Sequence, residues 1–309
     1  MNFADRLVSA IRSKGNPCVV GLDPRIGVMP RFVTEEYKDQ PIDTAIRRII
    51  TGFHALIIES VSGLVPAVKL QIAFYEQYGV PGLQALMDTI GIAKQNGLIV
   101  IIDAKRNDIA STAEAYASAF LGSTEVFGKR ITAFDADCIT VSPFLGRDSL
   151  MPFVRNCIDY EKGMFVLVKT SNVGSADLQD QRVGGDGEPI YRLLAGMVDE
   201  LSIECVGDCG YSSIGAVVGA TFPQEARELR RLMPHSFILV PGYGAQGGTA
   251  EDAAACFNRD GSGAVVNASR SITHMEDEPP RSRIEFMAAV RQRVLRMAAD
   301  LQRVVGHRE

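Results

Sequence analysis

The sequence predicts an α/β fold, a (βα)8 TIM barrel, and three observations carry that expectation. Eight short apolar runs rich in β-branched residues recur along the 309 residues. Each is followed by a turn signal and a stretch of helical periodicity, the repeat that winds a parallel sheet. The runs are nearly continuous in apolar residues rather than alternating, as strands covered on both faces should be. Eight such units close into a barrel. The composition is globular, with 46% apolar and 22% charged residues, which excludes disordered and collagen-like classes.

In chain order the expected strands are Cys18 to Asp23, Val65 to Lys69, Leu98 to Lys105, Cys138 to Ser142, Met164 to Thr170, Ile214 to Gly219, Phe237 to Gly242 and Gly263 to Ala268. Among the helices, Ala113 to Gly122 ends in glycine, and Pro223 to Met233 opens with proline and early acids. A first helix near Phe3 to Ser13 and a last near Ser282 to Val305 are extra to the repeat and should cap the barrel or pack outside it. Two long connections, Arg25 to Pro41 and Ser171 to Glu188, read as loops over the barrel mouth rather than linkers. All 309 residues are therefore assigned to one barrel domain.

The net charge of −5 argues against broad binding of nucleic acid or of an anionic membrane. No run approaches the roughly 18 apolar residues of a membrane span, and the N-terminus lacks a signal-peptide layout. A cytoplasmic protein is expected. Cys18, Cys138, Cys157, Cys205, Cys209 and Cys256 are scattered, so no disulfides are assigned. Cys205 and Cys209 have no second ligand pair nearby, and with four histidines in the chain no metal site is expected.

Active sites of such barrels lie at the C-terminal ends of the strands. Here those ends are charged: Asp23 closes the first run, Lys69 the second, and Asp103 and Lys105 the third, with Asp108 just beyond. Taken singly, each could be a solvated strand end, and Asp108 or Ser111 could cap the next helix, with Ser111 and Glu114 as a capping box. Five ionisable groups of alternating sign on three neighbouring strands are harder to dismiss, because pairing must offset their desolvation. Held between carboxylates, Lys69 and Lys105 are read as ammonium ions. That disfavours Schiff-base chemistry and suits protonation or stabilisation of a developing carbanion.

Gly242, Gly244 and Gly247 fit G-x-G-x-x-G, but the acid that a dinucleotide fingerprint wants about 20 residues on is Asn267 here. A phosphate grip by the loops after strands seven and eight is the better reading, with Arg270 as the forked cation.

Asp103-Ala-Lys-Arg-Asn-Asp-Ile-Ala-Ser-Thr112 resembles the D-x-K-x-x-D-I-x-x-T signature of the orotidine 5′-phosphate decarboxylase family, in its longer-chain bacterial form. Gly21-Leu-Asp-Pro-Arg25, Val68-Lys69 and Val240-Pro-Gly-Tyr-Gly-Ala-Gln-Gly247 extend the resemblance along essentially the whole chain. It implies decarboxylation of orotidine 5′-phosphate to uridine 5′-phosphate (UMP), the last step of de novo pyrimidine nucleotide synthesis, without metal or organic cofactor. It further implies that Lys105 donates a proton to C6 while Asp103 faces the departing carboxylate. Lys69 and Asp23 would contact the ribose, Ser142 the pyrimidine, and Gln246, Gly247 and Arg270 the phosphate. Asp108 and Thr112 would reach the neighbouring subunit's site, so a homodimer with shared sites is implied. Two rivals stand beside this reading: a metal-dependent sugar-phosphate lyase on the same barrel, and a non-catalytic nucleotide-binding module.

Overall fold

The computed structural model describes residues 1–185, 187–275 and 279–305. Eight parallel strands close the barrel: β1 (Cys18–Leu22), β2 (Ala67–Gln71), β3 (Ile99–Arg106), β4 (Cys138–Val141), β5 (Gly163–Lys169), β6 (Ser212–Val218), β7 (Ser236–Val240) and β8 (Ala264–Ala268). Each expected run forms its strand with ends displaced by one or two residues. Each strand pairs with its sequence neighbours, and β1 pairs with β8 to complete the ring. The register sets Gly21 beside Lys69 and Gln71 beside Asp103, which gathers the polar strand ends at one rim.

Outside the ring lie α1 (Phe3–Lys14), α2 (Ile42–Val61), α3 (Gly79–Gln95), α4 (Ala110–Phe120), α5 (Arg147–Asp159), α6 (Ile190–Ser202), α7 (Pro223–Leu232), α8 (Ala250–Ala254) and α9 (Arg283–Val305). Outward strand residues such as Val20, Val100 and Val166 pack on the helices in one core. Inward residues, including Val19, Ile101, Phe165, Phe237 and Val265, fill the ring as a second core. Such burial contributes about 1.5–3 kcal/mol for each large side chain.

Of the two extra helices, α1 plugs the N-terminal end of the barrel. Phe3, Ala4 and Leu7 join the inner core, and the Phe3 ring meets Phe165 edge-on at 6.3 Å. An Asn2–Asp5 capping box starts this helix, and Gly15 ends it. The other extra helix, α9, packs outside, mostly against α2 and α8. Among the described residues no helix is long and apolar enough to cross a membrane.

Three details differ from the sequence expectation. The α4 helix begins at Ala110 with Ile109 as its N-cap, so neither Asp108 nor Ser111 caps it and the Ser111–Glu114 box does not form. Asp108 Oδ1 instead accepts from the Ile109 N–H at 2.8 Å. The Arg25 to Pro41 connection is built of short helical turns, Ile26–Val28, Arg31–Thr34 and Glu35–Tyr37, around Pro30. The 171–188 connection, of which Asp186 lies outside the described residues, contains a helical turn at Val173–Asp177 and a small hairpin of Arg182–Val183 with Glu188–Pro189.

Candidate active site

At the C-terminal rim a cavity of about 520 Å³ opens, within the range of small-molecule sites. Asp103 stands at its base. On β3, Ile99 and Ile101 face inward, and the two-residue period brings Asp103 to the same face. Four donors converge on this carboxylate. Lys69 Nζ (2.9 Å) and Gln71 Nε2 (2.9 Å) reach Oδ2, while Lys105 Nζ (2.6 Å) and Thr140 Oγ1 (2.9 Å) reach Oδ1. Burial works against ionisation of Asp103, but Lys69 and Lys105 outweigh it and hold its pKa far below the usual carboxylate range. Burial likewise opposes the charge on Lys69, and Asp103 and Asp23 overcome that penalty, so its pKa is raised.

Lys105 is the strained member of the group. Its φ of 49° lies in the left-handed region, which costs about 1–3 kcal/mol for a residue with a Cβ. Its own N–H donates to Thr140 Oγ1 at 3.0 Å, which fixes the turn and leaves the side chain 45% exposed, with its ammonium tethered to Asp103. By contrast the Lys69 side chain is 5% exposed. The rim thus carries a chain of alternating charge, Asp23, Lys69, Asp103 and Lys105, in which the last cation is the more exposed of the two.

Asp23 and Asn267 also line the cavity, and the Oδ1 atom of each is buried with no hydrogen-bond partner among the described residues. Buried acceptors are rarely left so, and each is a place where a ligand hydroxyl or amide would be bound.

The opposite wall is built by the loops after β7 and β8. Gln246 and Arg270 both line the cavity. Gln246 Oε1 accepts from Ser171 Oγ at 2.8 Å, so the loops after β5 and β7 touch across the mouth. Gly21 makes the Ser269–Arg270 approach possible, because a Cβ there would lie 1.8 Å from Ser269 Oγ. The N–H groups of Gly244, Gly247 and Gly248 are engaged within the loop's own turns. Those of Ala245 and Gln246 have no acceptor among the described residues.

Of the residues singled out in the sequence, Asp23, Lys69, Asp103, Lys105, Gln246 and Arg270 meet at this cavity. Gly247, which is exposed, and Ser142, whose carbonyl accepts from Asn107 Nδ2 at 2.6 Å, are not among the lining residues. Asp108 and Thr112 stand outside, on the loop after β3 and the exposed start of α4. Sequence reading missed Gln71, Thr140, Ser171, Asn172 and Arg25, whose guanidinium lies over the Phe74 ring at 4.6 Å. Gln71 and Thr140 carried one signal: each is a polar residue near the C-terminal end of its strand, at a position two residues on from Lys69 and Cys138 respectively. All six cysteines are free thiols, and among the described residues no group of three or more His, Cys, Asp or Glu is placed to hold a metal ion.

Parallel barrel, strand-end lysine chained to carboxylates and a facing arginine together define a lyase-type (βα)8-barrel enzyme for a small anionic ligand. Comparison with known proteins narrows this class. Residues 54–283 match the model of the orotidine 5′-phosphate decarboxylase / HUMPS family, and the chain belongs to that family. It is 49% identical over 280 residues to an orotidine 5′-phosphate decarboxylase of Rhodopirellula baltica, covering 90% of this chain and 91% of that one. A Caldicellulosiruptor saccharolyticus protein of the same name is 42% identical over 277 residues, covering 89% and 90%. The solved structure of Leishmania donovani OMP decarboxylase superposes with a TM-score of 0.73 at 31% identity, covering 99% of this chain and all of that one.

Proposed function

We propose that this chain decarboxylates orotidine 5′-phosphate to UMP and CO2, the last step of de novo pyrimidine nucleotide synthesis, with no cofactor. One observation carries the reading: the ammonium of the exposed Lys105, held 2.6 Å from a carboxylate to which three further donors also bond and which the two lysines keep ionised. Cleavage of the bond between C6 and its carboxyl group leaves the electron pair on C6, in an orbital perpendicular to the ring π system. No conjugation spreads that charge, so the barrier is high. Lys105 meets the developing charge and transfers its proton to C6, forming the C6–H bond, and is recharged from solvent.

Asp103 faces the substrate carboxyl group, and their repulsion is relieved as CO2 departs. Neither effect is sufficient alone. Enzymes lower barriers by roughly 8–23 kcal/mol, whereas one preorganised donor contributes about 3–4. The remainder is assigned to remote binding: Gln246 and Arg270 take the phosphate, and that binding energy positions the pyrimidine. Asp23, with its unpartnered buried oxygen, and Lys69 take the ribose hydroxyls. Ser142 is retained as a pyrimidine contact and Gly247 as part of the phosphate loop.

The active unit is a homodimer in which Asp108 and Thr112 complete the partner's site. In support, Asn107 ties the loop after β3 to that after β4, and these joined loops expose Ile109, Phe144 and Leu145. Exposed apolar side chains on loops joined in this way are suited to burial against a second copy. The proposed compartment is the cytoplasm, in keeping with six free thiols. The test is loss of orotidine 5′-phosphate absorbance on mixing with the chain, alone and with a chelator. Decay unaffected by chelator is expected. No decay would overturn the activity, and decay abolished by chelator would revive the metal-dependent lyase.

A further inference from the structure

One fully buried cation takes no part in this chemistry. On β5, Phe165 faces the ring interior and Leu167 the cavity, so strict alternation would send Lys169 into the mouth as well. The pairing with β6 slips there, from Val217 beside Leu167 to Val218 beside Lys169. A bulge of this kind re-aims a side chain. Lys169 turns out of the cavity and is completely buried, with Nζ 4.3 Å from the Phe222 ring centroid and 5.7 Å from that of Tyr191.

A buried ammonium needs a counter-charge, and Lys169 takes it from the loop. Its Nζ lies 2.5 Å from Asp180 Oδ1, eleven residues on. The neighbouring Gln179 clasps Thr170 twice, accepting from its N–H and donating to its hydroxyl, both at 2.9 Å. The segment between is thereby closed at its base, where Ser171, next to Thr170, reaches Gln246. Gly219 gives Ser171 its seat, since a Cβ there would lie 2.7 Å from Ser171.

We propose that Lys169 and Asp180 form a positioning pair, a latch between a buried ammonium and a partly exposed carboxylate that fastens the loop after β5 to the barrel wall so that Ser171 is held at the cavity beside the phosphate-side glutamine. This rests on the decarboxylase reading for its kinetic consequence, not for its structural one. With the latch broken, part of the substrate's binding energy must order the loop, which raises KM more than it lowers kcat.

The test compares wild type with Asp180→Asn, which keeps the shape and removes the charge, and with Lys169→Met, which suits the aromatic seat. Amide hydrogen exchange of 170–181 should rise at least about tenfold in both, with β3 and β4 unchanged, and saturating UMP should restore protection. KM for orotidine 5′-phosphate should rise at least about tenfold, with kcat within about threefold. Exchange and KM within about twofold of wild type in Asp180→Asn would overturn the latch, as would faster exchange spread over the barrel strands. An inactive wild type would instead overturn the decarboxylase reading, and the exchange result would still decide the latch.

Discussion

The two ends of this barrel follow opposite rules. At the N-terminal end the ring is closed by Phe3 and Leu7, and the buried charged side chains there find local partners, although Arg230 Nε and Ser236 Oγ are buried without one among the described residues. Asp137, for example, accepts from Arg6 at 2.8 Å and from the Val100 N–H at 2.9 Å. Arg230, nearly as buried, donates to the carbonyls of Gly263, Met233 and Ser236. At the C-terminal end Lys105 sits in a left-handed conformation, and Asp23 and Asn267 each keep a buried oxygen without a donor. One rim is arranged for folding. The other sets an exposed lysine and unmet acceptors around an open cavity, where a substrate can satisfy them.

Substitutions at the two ends should therefore have opposite signatures. Lys105→Ala is expected to lower kcat by at least about 10³-fold while UMP affinity stays within about tenfold, because the ammonium acts mainly in the transition state. Its melting temperature should match or exceed wild type, since Asp103 keeps Lys69, Gln71 and Thr140. Equal losses of rate and product binding, read by steady-state kinetics and calorimetry, would break the contrast. At the other end, Phe3→Ala should cost about 3–5 kcal/mol in urea unfolding with kcat kept within about twofold. A large kcat loss in the folded variant would show that the ends are not separable.

A third experiment asks whether the site is confined to one chain. Mixing inactive Lys105→Ala and Asp108→Ala proteins should restore about a quarter of wild-type activity, because half the dimers would be mixed and each would hold one intact site. No recovery despite verified heterodimers would return Asp108 to its own subunit.

The smallest effect concerns the wall beneath Asp23. His54 is fully buried there, with Nδ1 3.1 Å from Tyr75 Oη, and burial lowers its pKa to about 3. Unfolded, a histidine titrates near 6.5, so as pH falls below that value the unfolded chain gains a proton that the folded chain refuses. Stability should decline by up to about 1.4 kcal/mol per pH unit between pH 6.5 and 3, and the Asp103 ion pairs add to the decline below about pH 4. Urea midpoints for wild type and His54→Leu at pH 7 and 5.5 check this. A slope that His54→Leu leaves unchanged would place the acid sensitivity elsewhere.

The contrast between the rims also explains what was legible in the sequence. The strands could be read because each is a continuous apolar run, and Asp23, Lys69, Asp103 and Lys105 stood out because they end such runs. Thr140 and Gln71 did not, since a polar side chain near a strand end means little until register brings it beside Asp103. Lys169 was harder still: it ends its strand as Lys69 does, and only a bulge decides that it faces the helices rather than the cavity. The start of α4 was misjudged because serine and glutamate at capping spacing need a chain reversal at Ser111, and the reversal falls at Ile109.

The most direct test of the central claim is a crystal structure of the protein with a UMP analogue bearing an anionic group at C6. The account predicts Lys105 Nζ within about 3.5 Å of that group, Asp103 still bonded to Lys69, and the phosphate on Gln246 and Arg270. A Lys105 turned from the base, or an Asp103 released by both lysines, would contradict it.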